Sequence, residues 1–203
     1  MSNKVYSAGL VSQRFWFYEI KQYIEMLNDG KTDKEIKQLS DEINVFGAVS
    51  ASRAKEIFNA ARRRANVLGK EMQELFQKLN IDNQKIVTLI SVLMLNDLLL
   101  EFMLEVYQVK LQNGIMQLST TDYKAFFSEK QRTNDVVAEW KPYTYNRLGS
   151  AYKNYLLEAG LIRENGNVDV ITPKLIDSRV IAWLKSINRL EITEVAITIT
   201  GGA

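Results

Sequence analysis

Apolar residues recur at three- and four-residue intervals along most of the chain, a spacing that predicts helices. The first such segment covers residues 12–27 and ends at Asn28-Asp29-Gly30. Thr32 precedes the next, with Glu35 three residues later, which is the sequence of a capping box. We therefore expect an all-α protein: a mostly helical globular bundle with two helix-turn-helix units and a small β-hairpin wing near the C-terminus.

The first helix-turn-helix candidate ends in a long helix with two different faces. It begins at Ser50 or Ser52 and reaches about Leu68, after a turn longer than the usual three or four residues. One face is apolar: Ala54, Ile57, Phe58, Ala61, Ala65 and Leu68. The opposite face is polar and basic: Lys55, Asn59, Arg62 and Asn66, with Arg63 beside it. Arginine and asparagine make bidentate contacts to guanine and adenine edges, so this face is a candidate DNA contact; the alternative is a solvated basic helix.

The second candidate lies between residues 133 and 171. Thr133 is expected to cap a short helix that ends at Trp140, and Lys141-Pro142-Tyr143 to interrupt the helix. Thr144 is expected to cap a longer helix that ends at Ala159-Gly160.

A predicted hairpin follows this pair of helices. Its strands, residues 161–164 and 168–171, flank Asn165-Gly166, a strong signal for a two-residue turn. Two helices followed by a hairpin are typical of a winged helix, a module that either binds DNA or docks a protein. In the second helix Asn146, Arg147, Ser150 and Lys153 should face outward, whereas Leu148, Tyr152 and Tyr155 should face the core.

Residues 82–112 form a strongly apolar segment that we interpret as one long central helix. Asp97, Glu101 and Glu105 share one stripe with Gln108 and Gln112. Because an acid near the centre of a membrane helix costs roughly 3 kcal/mol, a soluble core helix with one hydrogen-bonded edge is favoured over a membrane span. A further helix is expected over residues 177–190. Residues 191–200 alternate Val195, Ile197 and Ile199 and indicate an added strand or a tail.

We expect three regions, 1–80, 81–130 and 131–203, within one compact globular unit. The net charge is only +2. However, residues 50–70 hold six basic residues and one acidic residue, a net of +5, and residues 130–163 hold six and three, a net of +3. Two basic zones separated by an acidic one indicate a polyanion surface.

The composition excludes the commonest catalytic chemistry. The chain has no cysteine and no histidine, so thiolate chemistry, imidazole bases and the usual zinc ligands are absent. Gly30-Lys31-Thr32 lacks the earlier glycine of a phosphate-binding loop, since Glu25 stands there. The Asp97, Glu101 and Glu105 stripe fits a plain polar edge better than a metal site. We expect no enzyme activity, no cofactor and no metal. Because Met1-Ser2-Asn3-Lys4 leads into no apolar signal core, we also expect a cytoplasmic protein and no membrane partner.

The order of these segments resembles the BrxA family of bacteriophage-exclusion (BREX) defence systems. The matching segments are Ser7-Ala8-Gly9-Leu10, Asn28-Asp29-Gly30, the helix over residues 50–64, Asn96-Asp97-Leu98-Leu99-Leu100-Glu101-Phe102 and Tyr155-Leu156-Leu157-Glu158-Ala159-Gly160-Leu161. The resemblance extends to about Leu190. It implies a small, helical, non-enzymatic protein that binds double-stranded DNA beside methyltransferase and ATPase components of the defence system.

Pattern and resemblance coincide on two contact zones. The expected DNA-binding residues are Lys55, Asn59, Arg62, Arg63, Arg64, Lys141, Tyr143, Asn146, Arg147, Ser150, Lys153 and Arg163. We expect a monomer. The alternatives are a protein-interaction adaptor whose winged helix docks a partner subunit, and an RNA-binding protein. RNA binding is the weaker of the two because no aromatic stacking platform on a sheet is predicted.

Overall fold

The computed structural model describes residues 6–201, so the N-terminal segment Met1-Ser2-Asn3-Lys4 lies outside the described residues. The chain divides into two compact units. One, the four-helix unit, comprises residues Phe15–Leu95. The other, the sheet-containing unit, comprises the described residues up to Arg14 and those from Asn96 onward. The boundaries of these two units do not coincide with those of the three expected regions, because residues 81–95 belong to the four-helix unit.

The four-helix unit contains α1 (Phe17–Asn28), α2 (Asp33–Ile43), α3 (Ala51–Phe76) and α4 (Ile81–Leu93). Helix α3 packs against the other three helices, and α1 also contacts α4. The predicted apolar face of α3 is buried as expected, together with Ile20, Tyr23 and Ile24 of α1. Helix α1 starts later than predicted, since Trp16 adopts a left-handed conformation with φ of 52°.

Side-chain caps set the helix starts in this unit. Thr32 Oγ1 accepts a hydrogen bond from the backbone N–H of Glu35, and the Glu35 carboxylate accepts one from the backbone N–H of Thr32 at 2.7 Å, which confirms the capping box. Ser50, rather than Ser52, caps α3 by accepting from the N–H of Arg53 at 3.2 Å. Gly69, with φ of 69° and ψ of 166°, interrupts α3 directly after the predicted end at Leu68.

The prediction of one continuous helix over residues 82–112 is wrong. Helix α4 ends at Leu93, and α5 (Asp97–Gln112) begins after Asn96, whose side chain accepts a hydrogen bond from the N–H of Leu99 at 2.8 Å. Within α5, Met103–Gln108 forms a π-helical segment. Among the described residues no single helix is long and apolar enough to cross a membrane, and α4 and α5 meet those criteria only when joined across their break.

Besides α5, the described part of the sheet-containing unit holds five α-helices and three strands, together with a short 3-10 helix at Gly9–Val11. The helices are α6 (Thr120–Thr133), α7 (Asp135–Ala138), α8 (Pro142–Glu158), α9 (Ser178–Ser186) and α10 (Leu190–Ile199). The strands are β1 (Gln117–Ser119), β2 (Ile162–Asn165) and β3 (Val168–Ile171), arranged antiparallel in the order β1-β3-β2. The three-residue strand β1 was not predicted from the sequence.

The predicted hairpin is present, but its turn lies one residue later than expected. Asn165 pairs with Val168, so the two-residue loop consists of Gly166 and Asn167 instead of Asn165 and Gly166. Gly166 has φ of 62°, a conformation that glycine adopts without the steric cost of a Cβ.

Two of the predicted caps before the hairpin are wrong. Thr133 is the last residue of α6, and Asn134 caps α7 by accepting from the N–H of Val137 at 3.1 Å. The expected break before Pro142 is confirmed, since residues 139–141 are not helical and Lys141 is extended. Pro142 itself occupies the first turn of α8, where its missing N–H would have no helical partner. Helix α8 therefore begins before Thr144.

Residues 191–199 form helix α10 rather than a strand or tail. Ile192, Val195 and Ile199 are buried, whereas Ile197 is exposed. This pattern follows the helical spacing of three and four residues rather than the alternation expected of a strand. Helix α10 packs on α9 and on the π-helical segment of α5, and these contacts supply the burial that favours a helix here.

Candidate nucleic-acid interface

Helix α8 carries an exposed polar face in its N-terminal half. Seven residues of α8 are exposed, and four of those in its N-terminal half follow one another at helical spacing: Tyr143, Asn146, Arg147 and Ser150. The buried side consists of Leu148, Tyr152, Tyr155 and Leu156. The Tyr155 hydroxyl donates a hydrogen bond to the carbonyl oxygen of Arg14 at 3.2 Å, which fixes α8 against the N-terminal segment of the same unit.

Three exposed groups surround the start of this helix. Lys141 is the N-cap residue, and the Tyr143 side chain is 56% exposed. Arg147 Nη2 lies 3.4 Å from the carbonyl oxygen of Val11, a long hydrogen bond that leaves the other donors of the guanidinium available. Neither Lys141 nor Arg147 forms an ion pair within the described residues, so both charges can act on an external anion.

Lys153 is placed differently from the prediction. Its Nζ lies 2.9 Å from Asp169 Oδ1 and 3.0 Å from Glu164 Oε1, both on the hairpin. Hydrogen bonding to Asp169 and then to Glu164 raises the pKa of Lys153. Because two carboxylates already balance its charge, Lys153 joins α8 to the hairpin and is a poor candidate for a phosphate contact.

Arg163 is exposed on strand β2 but does not share the α8 side of the sheet. Glu164 and Asp169 pair in register and both contact Lys153, so their side chains face α8. Successive side chains of a strand point to opposite faces. Arg163 therefore lies on the other face of the sheet, away from Lys153.

Helix α3 of the four-helix unit presents the second polar face. Lys55, Asn59, Arg62, Arg63 and Asn66 are exposed. Lys55 and Arg63 form no ion pair among the described residues. Arg62 Nε lies 2.5 Å from Asp33 Oδ2, and the Tyr23 hydroxyl donates to Asp33 Oδ1 at 2.6 Å. Burial raises the pKa of Asp33, but the hydrogen bonds from Tyr23 and Arg62 outweigh it and lower the pKa overall.

The expectation that Arg64 belongs to this exposed face is wrong. Arg64 is only 2% exposed, and its Nη1 donates a hydrogen bond to the carbonyl oxygen of Phe15 at 2.6 Å. Its guanidinium carbon also lies 5.9 Å from the centroid of the Trp16 ring. Arg64 thus stabilises the chain before α1, and three consecutive arginines supply two surface charges.

The basic zone around α8 is also smaller than its sequence suggests. Lys130 is buried, and its Nζ lies 2.5 Å from Glu101 Oε2 and 2.6 Å from Glu105 Oε1. Arg132 pairs with Glu129 at 2.6 Å. The acidic stripe of α5 therefore binds a lysine of α6, and within the described residues no group of three acidic, histidine or cysteine side chains could hold a metal ion.

Helix α6 contributes exposed polar residues that the sequence reasoning missed. Lys124, Ser128 and Gln131 line a cavity together with Asn146, Ser150 and Lys153 of α8. Ser119 and Asp122 form a capping box at the start of α6. That three-residue spacing was the available sequence signal for this helix.

Comparisons with known proteins agree with this architecture. The BrxA family model matches residues 4–188. BREX protein BrxA of Bacillus cereus (strain H3081.97) is 30% identical over 176 residues, which cover 86% of this chain and 88% of that protein. The crystal structure of an uncharacterized protein from Magnetospirillum magneticum superposes with a TM-score of 0.77, at 16% identity, over 96% of this chain and 98% of the other. This last similarity concerns the fold alone.

Proposed function

The chain belongs to the BrxA family of BREX phage-defence systems, and on that basis we propose that it is a non-enzymatic accessory protein that binds double-stranded DNA. In this proposal it acts in the cytoplasm as a monomer. It contributes to the recognition of host and foreign DNA beside the methyltransferase and ATPase components of the system.

The exposed face of α8 is the observation that carries this proposal. Asn146, Arg147 and Ser150 are the residue types that contact base edges, and they lie in the N-terminal half of the helix, as in recognition helices. The order α5, β1, α6, α7, α8, β2, β3, with the sheet order β1-β3-β2, supports the interpretation as a winged helix in which the short helix α7 precedes α8. Lys141 and Tyr143 would contact the adjacent phosphates.

Helix α3 is proposed as a second contact zone. Lys55 and Arg63 would bind phosphate. Asn59 lies about one helical turn from each of them and would contact the same DNA. Arg62 would contribute through the donors that Asp33 leaves unused. Arg64 has no place in this zone because it is buried.

The adaptor remains the second candidate, favoured by one specific observation. Lys130, Arg132 and Lys153 account for half of the basic residues in the zone over residues 130–163, and all three are paired with carboxylates. The cationic surface is thus modest for a DNA-binding protein. A winged helix with few unpaired cations is suited to docking a partner subunit. RNA binding is a further alternative, which the binding assay described next also tests.

Fluorescence anisotropy with labelled duplex DNA, single-stranded DNA and RNA at several salt concentrations tests the proposal. If about five phosphates are neutralised, the affinity for duplex DNA should fall with salt at a log–log slope of roughly −4 to −5. An affinity that does not change between low and moderate salt would favour the adaptor. Tighter binding to RNA than to duplex DNA would contradict the choice of ligand.

A pair of exposed substitutions locates the contact. Replacing both Lys141 and Arg147 by alanine should weaken duplex binding by about tenfold to a hundredfold, on the scale of two lost phosphate or base contacts. The matched control replaces the exposed Lys185 and Arg189 by alanine, which removes the same charge elsewhere in the unit. Equal losses in the two variants would indicate a general charge effect and remove α8 from the interface.

A further inference from the structure

A cavity of about 470 Å³ lies between α6, α8 and the tip of the hairpin in the sheet-containing unit. Its volume falls within the range of roughly 300–1,000 Å³ that is typical of small-molecule sites. Three aromatic rings line it: Tyr123 and Phe127 of α6 and Tyr145 of α8. Tyr123 and Phe127 are only 6% and 3% exposed, so they supply an apolar floor, and the half-buried Tyr145 is the ring best placed to stack on a flat heteroaromatic group.

Gly149 also lines the cavity, beside two of these rings. A Cβ added at Gly149 would lie 3.5 Å from the Tyr123 Cβ and 3.9 Å from Phe127 Cε2, an ordinary contact distance. A much larger side chain at this position would therefore have to displace its neighbours or take up part of the cavity volume.

Two kinds of polar group line the inner part of the cavity. The Tyr123 hydroxyl is not one of them, because its oxygen is fully buried and has no hydrogen-bond partner among the described residues. The amides of Gln131 and Asn146 offer both donors and acceptors. Asp169 Oδ1 and Lys153 Nζ, 2.9 Å apart, place an acceptor and a donor side by side.

Lys124 supplies a positive charge at the exposed edge of the cavity. It is exposed and forms no ion pair within the described part of the chain. Lys153, by contrast, is already balanced by Asp169 and Glu164. An anionic group is therefore best placed near Lys124, whereas a neutral ring with donors and acceptors on its edge fits the inner part.

From this arrangement we propose that the cavity binds one nucleoside monophosphate unit. The base stacks on the aromatic wall, its edge meets the amides and the Asp169–Lys153 pair, and the phosphate lies near Lys124. The unit can come from a free nucleotide or from an unpaired nucleotide of a DNA strand. This site shares Asn146 and Ser150 with the proposed duplex-contacting face of α8. It goes beyond the proposed function because it binds a single nucleotide, which the contact with duplex DNA does not require.

Calorimetric titration of the full chain with the four deoxynucleoside monophosphates tests the proposal. We expect at least one to bind with a Kd below about 1 mM, the weak end of measurable ligand affinity. A duplex with one unpaired base, compared with the fully paired duplex, distinguishes the two sources. Binding of the monophosphate without preference for the unpaired base indicates a free nucleotide. Preference for the unpaired base indicates a nucleotide within a strand, and failure of both experiments overturns the proposal.

Two variants connect binding to the cavity. Gly149→Leu should weaken binding of the titrated ligand by about tenfold or more, because the leucine side chain would compete with the ligand for the cavity volume. Gly149→Ala is the matched control and should stay within about twofold of the unmodified chain, since its Cβ makes only ordinary contacts. A folded Gly149→Leu variant that binds normally would contradict the assignment.

Lys124→Glu provides a test that does not depend on folding of the core. This substitution should weaken binding of the nucleoside monophosphate strongly and binding of the corresponding nucleoside little, because only the monophosphate carries an anionic group. Equal affinity of this variant and the unmodified chain for the monophosphate would overturn the placement of the phosphate. Duplex binding by the Lys141 and Arg147 variants is measured separately, so failure of this site and failure of the proposed function are distinguishable.

Discussion

Replacing Lys153 by methionine should destabilise the sheet-containing unit without removing a DNA contact. Methionine retains the apolar stem of the side chain and removes the charge. The Lys153 Nζ bridges Asp169, whose side chain is 6% exposed, and Glu164, whose side chain is 67% exposed. The variant would therefore leave a nearly buried carboxylate without its cation.

The two ion pairs contribute unequally to the expected loss. Breaking a fully buried pair costs about 3–5 kcal/mol, whereas an exposed pair contributes about 0–1 kcal/mol. The Lys153 side chain is 33% exposed, so the pair with Asp169 belongs between these limits. We expect a decrease of about 2 kcal/mol in the free energy of unfolding, which corresponds to a fall of roughly 4–8 °C in Tm for a chain of this size.

Urea denaturation followed by circular dichroism measures this loss, and duplex binding is measured below the transition. The double variant Lys153→Met with Asp169→Asn should recover part of the stability, because it no longer buries an unpaired charge. Duplex binding by Lys153→Met should stay within about twofold, since the paired ammonium makes no outside contact in our assignment. A variant that unfolds like the unmodified chain but binds DNA poorly would refute this reasoning and return Lys153 to the interface.

Three further changes test the described contacts. Gly69→Ala should lower the free energy of unfolding by about 1–2 kcal/mol, and with it Tm, because alanine is strained at a φ of 69° and its Cβ would make no contact within 4 Å that offsets the strain. Hydrogen bonds from Arg179 lower the pKa of Asp177 to about 2, so the stabilisation by the Asp177 carboxylate is present above about pH 4 and is lost as the pH falls towards 2. The difference in free energy of unfolding between the unmodified chain and Asp177→Ala, measured by urea denaturation at several pH values, should therefore shrink over that interval. Lys130→Met should lower the free energy of unfolding by about 3 kcal/mol, because it leaves the Glu101 carboxylate without its cation. A double-mutant cycle with Glu101→Gln, measured by urea denaturation, should give a coupling free energy of more than about 0.5 kcal/mol.

Local patterns were sufficient for most of the helical architecture. The capping box of Thr32 and Glu35 depends on residues three apart, and the buried face of α3 follows from helical spacing, so both were predicted from the sequence. The hairpin was predicted for the same reason, since its turn involves neighbouring residues. Local patterns failed where two of them competed: Asn96 and Asn134 both act as helix caps inside segments whose apolar spacing favoured a different boundary.

Contacts between distant residues decided what the sequence could not. Strand β1 has only three residues and forms because β3 offers backbone partners about fifty positions later. Residues 191–199 alternate like a strand, yet packing on α9 and α5 makes them a helix. In both cases part of the burial or pairing comes from an element far away in the chain, β3 for β1 and the π-helical segment of α5 for α10, and intrinsic propensity is too weak to oppose it.

Contacts between distant residues also decide which of the candidate contact residues are available to a ligand. The sequence alone determined where lysine, arginine and asparagine stand on each helix, and it correctly placed Asn146, Arg147 and Ser150 on an exposed face. It could not determine which charges remain available to a ligand. Arg64 bonds to a carbonyl 49 positions away, and Lys153 to carboxylates on the hairpin. Whether a cation is free depends on the partners that the tertiary structure brings near, and only that structure revealed the cavity between α6 and α8.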